Sequence, residues 1–192
     1  MVYLCTLLKS EEMKALKAYT IQFVGLKEGE HTFRYEINKA FFDHFEYEDF
    51  NALSVDISLN FIKKSTLMQL NFYASGSVNV NCDVTNEPYD EFIKDEFELI
   101  VKFGEDYNDD NEEILILPHG EYELNVAHYI YELIVLAVPN KRVHPGVADG
   151  TLKSDILDKL NELSLSNDVK DIEKNEDTDP RWDSLKKLLT DK

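Results

Sequence analysis

Only two cysteines, Cys5 and Cys82, occur among 192 residues. Neither a disulfide framework nor a four-cysteine zinc site can be built from them within one chain, and a reducing compartment is expected. Bases are scarce as well: 20 Lys and Arg stand against 38 Asp and Glu, a formal net charge of −18 at pH 7. That balance repels both a phosphate backbone and an anionic membrane surface, which argues against a fold built for non-specific grip on nucleic acid. No run of about 18 apolar residues occurs, and the short apolar stretch at residues 2–8 follows no positive residue. No signal or spanning segment is read, and a cytoplasmic location is expected. Glycine-rich phosphate loops are missing, as are His-Glu-x-x-His and Gly-x-Ser-x-Gly.

What is present is enough for a core. Hydrophobic residues make up 43% of the chain and aromatics 11%, too apolar for disorder despite the charge. Alternation dominates the first half. Tyr19, Ile21 and Phe23, then Phe33, Tyr35 and Ile37 across a Gly25–Gly29 turn, predict a hairpin. Residues 39–50 hold Phe41, Phe42, Phe45 and Phe50 among acids, a short helix or crossover that plugs one end of a sheet. Leu53, Val55, Ile57, Leu59 and Phe61 share one face of a strand. After a turn at 63–66, a long return strand alternates from Met68 to Cys82, with Gly76 marking a bend or bulge. Phe97, Leu99, Val101 and Phe103 give the third strand of an antiparallel meander. Residues 104–113 form an acidic loop, with a short strand at 114–117 after it.

Two helices and a tail close the chain. Asn125 caps a helix carrying Val126, Tyr129, Ile130, Leu133, Ile134 and Ala137 on one face, stopped by Pro139. Leu152, Ile156, Leu157, Leu160 and Leu163 predict a second. Asp179-Pro180 opens a terminal helix bearing Trp182, Leu185, Leu188 and Leu189. The expected fold class is α+β: a curled antiparallel β-sheet or partly open barrel with a packed helix and C-terminal helices. The expected organisation is an extension or loose arm at 1–12 with Met13 as the start, a single domain at 13–163, an acidic flexible linker at 164–178 and the short helix at 179–192.

Candidates for chemistry are few. The five histidines (His31, His44, His119, His128 and His144) form no pair at helical spacing, which favours surface and cap roles over ligation. The acidic loop lacks the glycine and oxygen spacing of a calcium loop. Cys82-Asp83-Val84-Thr85 has the spacing of a Cys-x-x-Cys whose second cysteine is replaced, yet Cys82 continues the apolar face of its strand and packing accounts for it. No cofactor, metal or catalytic residue is nominated.

The order of the pieces resembles one family. A long strand with a mid-strand glycine runs into Cys82-Asp83, followed by the acidic Phe103-Gly104-Glu105, a helix ending Leu136-Ala137-Val138-Pro139, and Asp179-Pro180-Arg181-Trp182-Asp183-Ser184-Leu185-Lys186-Lys187-Leu188. Over roughly residues 13–189 this resembles the YceD family, the large ribosomal RNA subunit accumulation proteins. Many members carry a Cys-x-x-Cys after the long strand and a second cysteine pair after the helix proline, a zinc site by implication. Here Thr85 replaces one cysteine, and Arg142-Val143-His144-Pro145-Gly146 stands where the second pair would be, so the resemblance implies a branch without zinc. It further implies a part in 23S ribosomal RNA accumulation or processing in a bacterial cytoplasm, and no catalytic residues to carry over.

The expected mode of action is non-enzymatic, through an acidic face at Glu105, Asp106, Asp109, Asp110, Glu112 and Glu113 that meets ribosomal proteins or rRNA-processing factors of the large subunit. Lys63, Lys64, Lys141, Arg142, Arg181, Trp182, Lys186 and Lys187 are candidates for partner or local RNA contact. The alternatives are a small hydrolase or nuclease using carboxylates, or a dedicated chaperone for a basic ribosomal protein. The charge is uneven: residues 65–140 hold 16 acids and 2 bases, a net −14, while the segments on either side are each −2. The objection to nucleic acid therefore applies to the middle of the chain.

Overall fold

The structure is a computed structural model and describes residues 16–111, 113–152 and 154–165. It is an α+β fold organised on a six-stranded sheet in the order β2-β3-β4-β5-β7-β6. The strands are β2 (Gly29–Asn38), β3 (Ala52–Lys63), β4 (Leu67–Asn81), β5 (Pro88–Gly104), β6 (Asn108–Asn111) and β7 (Ile114–Pro118). A separate two-stranded ribbon joins β1 (Thr20–Ile21) to β8 (Leu124–Asn125). A 3-10 turn at Leu16–Tyr19 and helices α1 (Lys39–Asp43), α2 (Ala127–Ala137), α3 (Pro145–Ala148) and α4 (Asp155–Leu165) complete the described elements. None of these helices is long and apolar enough to cross a membrane.

Period-two alternation decides which face is dry. Val55, Ile57, Leu59 and Phe61 of β3 and Met68, Leu70, Phe72, Val78 and Val80 of β4 are all buried, while the residues between them face the other side. Those other residues are mostly Ser, Asn, Gln and charged groups, with Tyr73 among them, and several pair across strands. Gln69 donates to Glu98 at 2.8 Å, and Asn51 donates to both Asn79 and Asn81. The buried face is closed at one end by aromatics of the α1 crossover. Phe42 and Phe50 are fully buried with ring centroids 5.0 Å apart, and Phe45 stacks on Tyr131 of α2 at 4.4 Å. Lys39 locks this crossover by donating to the Phe50 and Tyr47 carbonyls. Helix α2 lies across β4 and β5 and buries Ala127, Ile130, Leu133 and Ile134.

Four expectations are corrected. The sheet is mixed rather than antiparallel throughout, because β7 pairs parallel to β5, and it remains open, with β2 and β6 at its edges. The segment at 19–23 forms no hairpin with 33–37: Thr20 and Ile21 pair with Asn125 and Leu124, and β2 pairs with β3. Alternation states which side chains go inward and is silent on the neighbour. Part of the acidic loop is strand β6, antiparallel to β7. Gly76 is no bulge, since Val55, Gly76 and Ile93 align in a register that does not slip.

Gly76 is required by room. A Cβ there would collide with the Ser54 carbonyl oxygen and lie 2.6 Å from Val55 Cα, both backbone atoms that cannot swing aside. Asn125 is a partial correction. Its Oδ1 accepts from the Ala127 N–H at 2.9 Å, as a cap should, although the residue at the helix boundary is Val126. Pro139 stops α2 as expected, with Val138 already extended.

Gly76→Ala is expected to destabilise the fold by about 3 kcal/mol, the upper part of the overpacking range, read as a lower urea midpoint at unchanged slope. An unchanged midpoint would mean that β3 can yield at Ser54.

Candidate functional site

Where α2 crosses β5 it leaves a groove of about 800 Å³ between the helix, the middle of β5 and β6. Its floor and walls include Phe97, Leu124, Tyr129, Leu133 and Leu136, and Leu136 is 78% exposed. Phe97 and Tyr129 stack with centroids 6.3 Å apart. Four carboxylates, Asp95, Glu96, Asp109 and Glu132, share the lining, and among the described residues it includes no Lys or Arg. Asp95 lies in the register of the buried face, between Ile93 and Phe97 and opposite Ala74, so the groove is where the inward face of β5 opens to water. His128 Nε2 lies 3.0 Å from Glu132 Oε1. The Tyr107 hydroxyl donates to Asp109 at 3.1 Å. The Tyr129 hydroxyl is pushed up to about 12, first by burial and then by the negative potential of Tyr107, Asp109 and Glu132. An apolar floor under a ring of carboxylates suits a segment that carries both large apolar side chains and positive charge.

The sequence-nominated residues are dispersed. Of the acidic group, Asp109 lines the groove, Glu105, Asp106, Asp110 and Glu113 are exposed around β6, and Glu112 lies outside the described residues. Lys63 is committed to the fold, its Nζ donating at 2.8 Å to the carbonyls of both Phe23 and Leu26. Lys64 is exposed at the same end of β3, whereas Arg142 lies beside Asn51 at the other end. Those ends are roughly 36 Å apart along an extended strand, so the two basic doublets form no common patch. Lys141 is exposed. Arg181, Trp182, Lys186 and Lys187 lie outside the described residues.

The sequence reading missed the groove. Its signals were Asp95, a carboxylate at an inward position of a strand, and Leu136, an apolar residue off the buried stripe of α2.

The second feature is the junction between the Cys82 turn and the connector after α2. Asp83 and Arg142 hold each other: the Asp83 N–H donates to the Arg142 carbonyl at 2.7 Å, the Arg142 N–H to Asp83 Oδ2 at 2.7 Å, and the side chains pair at 3.6 Å. The His144 N–H donates to Cys82 Sγ at 3.3 Å. The His144 ring accepts the Gly146 N–H on Nδ1 at 2.9 Å and packs edge-on against Tyr89. Burial pushes the Cys82 thiol up, but hydrogen bonds from His144, the Thr85 hydroxyl and the Thr85 and Val84 backbone outweigh it and hold it down at about 7. A polar hollow of about 470 Å³ opens beside the junction, lined in part by Glu48, Asp49, Asn51, Asn81 and Asp83.

The family model for the large ribosomal RNA subunit accumulation protein YceD matches residues 70–189. The chain belongs to the YceD family. No curated protein and no solved structure matches it. The fold brings the first cysteine-pair position, Cys82 to Thr85, against the segment at 142–146, as the resemblance implies, but the residues there do not fit zinc. Thr85 is a neutral hydroxyl, His144 Nδ1 is occupied by its own helix N-terminus, and Cys82 Sγ is occupied by backbone donors. Among the described residues no cluster of three or more His, Cys, Asp or Glu could hold a metal ion. Backbone hydrogen bonds and the Asp83–Arg142 pair join the two segments here.

The thiol is lowered from 9.0 in the folded chain, so its contribution to stability is fully present above pH 9 and fades as pH falls through about 7. Unfolding free energy, taken as wild type minus Cys82→Ala under reductant, is expected to rise by on the order of 2 kcal/mol from pH 7 to pH 9. Urea titrations at the two pH values check it, and a flat difference would show that the backbone donors do not favour the thiolate.

Proposed function

We propose that this protein is a non-enzymatic factor that supports 23S ribosomal RNA accumulation and large-subunit biogenesis by protein contacts of its acidic middle. Family membership supports the process, since the family is described by large ribosomal RNA subunit accumulation. The observation that carries the mechanism is the acid-rimmed apolar groove, which joins Asp95, Glu96, Asp109 and Glu132 to the half-buried Phe97 and Tyr129 and the exposed Leu136. Ribosomal proteins of the large subunit are cationic and must be kept from premature contact with RNA, and opposite potentials steer such partners onto this face. A dedicated chaperone for one basic ribosomal protein is the narrower form of the same reading, favoured by the apolar floor, because carboxylates alone would not discriminate among basic partners. Local RNA contact is left to the exposed Lys64 and Lys141, away from the groove.

Cells lacking the protein are expected to show lower 23S ribosomal RNA and a smaller large-subunit peak in sedimentation profiles. Normal values would overturn the assignment. Complementation with the double charge reversal Asp95→Lys and Glu132→Lys separates the mechanism from the process. It is expected to fail to restore the profile and to lose co-purifying large-subunit proteins, whereas full restoration would move the partner surface elsewhere.

A further inference from the structure

The groove beside α2 is apolar at its floor, acidic at its rim and open along Leu136, and the chain itself contains a segment of the complementary chemistry. Within residues 179–192, Trp182, Leu185, Leu188 and Leu189 recur at helical spacing, and Arg181, Lys186, Lys187 and Lys192 against Asp179, Asp183 and Asp191 give a net +1 in a protein whose total is −18. The apolar residues of that segment match the floor in kind, an aromatic and leucines against Phe97, Tyr129, Leu133 and Leu136. Its bases match the four carboxylates, and the described lining around them includes no Lys or Arg. We propose that residues 179–192 dock into this groove in cis, with Trp182 and the leucines on the apolar floor and Arg181, Lys186 and Lys187 toward Asp95, Glu96, Asp109 and Glu132.

Chain length permits the contact. From Leu165, the last described residue, to Arg181 there are 16 residues, a reach of roughly 55 Å when extended. That is comparable with the roughly 56 Å span of β5, the longest element. A tether of this length holds the segment at an effective concentration in the millimolar range, so a contact that would be weak between separate molecules is filled within one chain. An external cationic segment must then compete with the tail for the groove. Helix α4 offers another exposed apolar stripe, at Ile156 and Leu160, but its neighbours Asp155, Asp158, Lys159 and Glu162 are of mixed sign and do not select a basic partner. The docking stands independently of any role in ribosome assembly.

Trp182 is the single tryptophan of the chain, so emission of the full-length protein reads this segment alone. In the wild type, emission is expected to be blue-shifted and acrylamide quenching several-fold weaker than for a free peptide of residues 175–192. Leu136→Asp and Glu132→Lys, both at exposed positions that folding tolerates, are each expected to move emission and quenching toward the free peptide, and raised salt to do so in part. Leu160→Asp on α4 is expected to change neither. Far-UV circular dichroism checks that each variant is folded. Peptide-like emission in the wild type would overturn the proposal, as would emission indifferent to both groove variants. A shift produced by Leu160→Asp instead would place the tail on α4 and overturn it. Emission that depends on protein concentration would assign the groove to the tail of a second copy and overturn docking in cis.

Discussion

Twelve residue pairs between β3 and β4 and fifteen between β4 and β5 run without a slip, and a shift of one residue in either ladder would turn its buried side chains to water. Every other element takes its position from that register. The α1 aromatics close the end that β3 defines, α2 rests on the inward residues of β4 and β5, and the Cys82 turn is where β4 runs out. Gly76 shows how tightly the register is held. The backbones of β3 and β4 approach so closely there that one methyl group does not fit, and the unbroken pairing on both sides leaves no bulge to relieve it. The 17 residues of β5 extend the ladder beyond what α2 covers, and the groove follows from that surplus of strand over helix.

Legibility in the sequence followed the strength of the local period. β3 and β4 could be read from Leu53 to Cys82 because apolar and polar residues alternate with few exceptions, and α2 because its stripe is bounded by Asn125 and Pro139. The first half of β5 was lost because Glu91 and Asp95 occupy inward positions and break the alternation that begins again at Phe97. β1 and β8 could not be paired because two residues carry no period, and the parallel β5–β7 contact is a matter of topology to which alternation is blind. The groove was illegible for a different reason. Its carboxylates come from residues 95, 96, 109 and 132, and only the fold makes them neighbours.

The Cys82 junction ties two distant segments of the chain together through hydrogen bonds. The turn after β4 meets the connector after α2, and they are joined by the reciprocal Asp83–Arg142 hydrogen bonds and by backbone donors to one sulfur. Main-chain hydrogen bonds such as Asp83 N–H to the Arg142 carbonyl depend little on side-chain identity, whereas a metal tolerates few ligands. Two segments 59 residues apart in sequence (Asp83 and Arg142) are thereby fixed by contacts that need no cofactor.

Strand β6 has a consequence for the protein at high concentration. It is the outer strand of the sheet, four residues long, and consists of Asn108, Asp109, Asp110 and Asn111, all exposed. A bare strand edge is a template on which another chain can add, and open sheets are vulnerable to runaway stacking there. Two adjacent carboxylates on so short a strand would meet their own copies in any such stack and repel them. The acidity that gives this chain its charge thus also keeps one border of its sheet from polymerising.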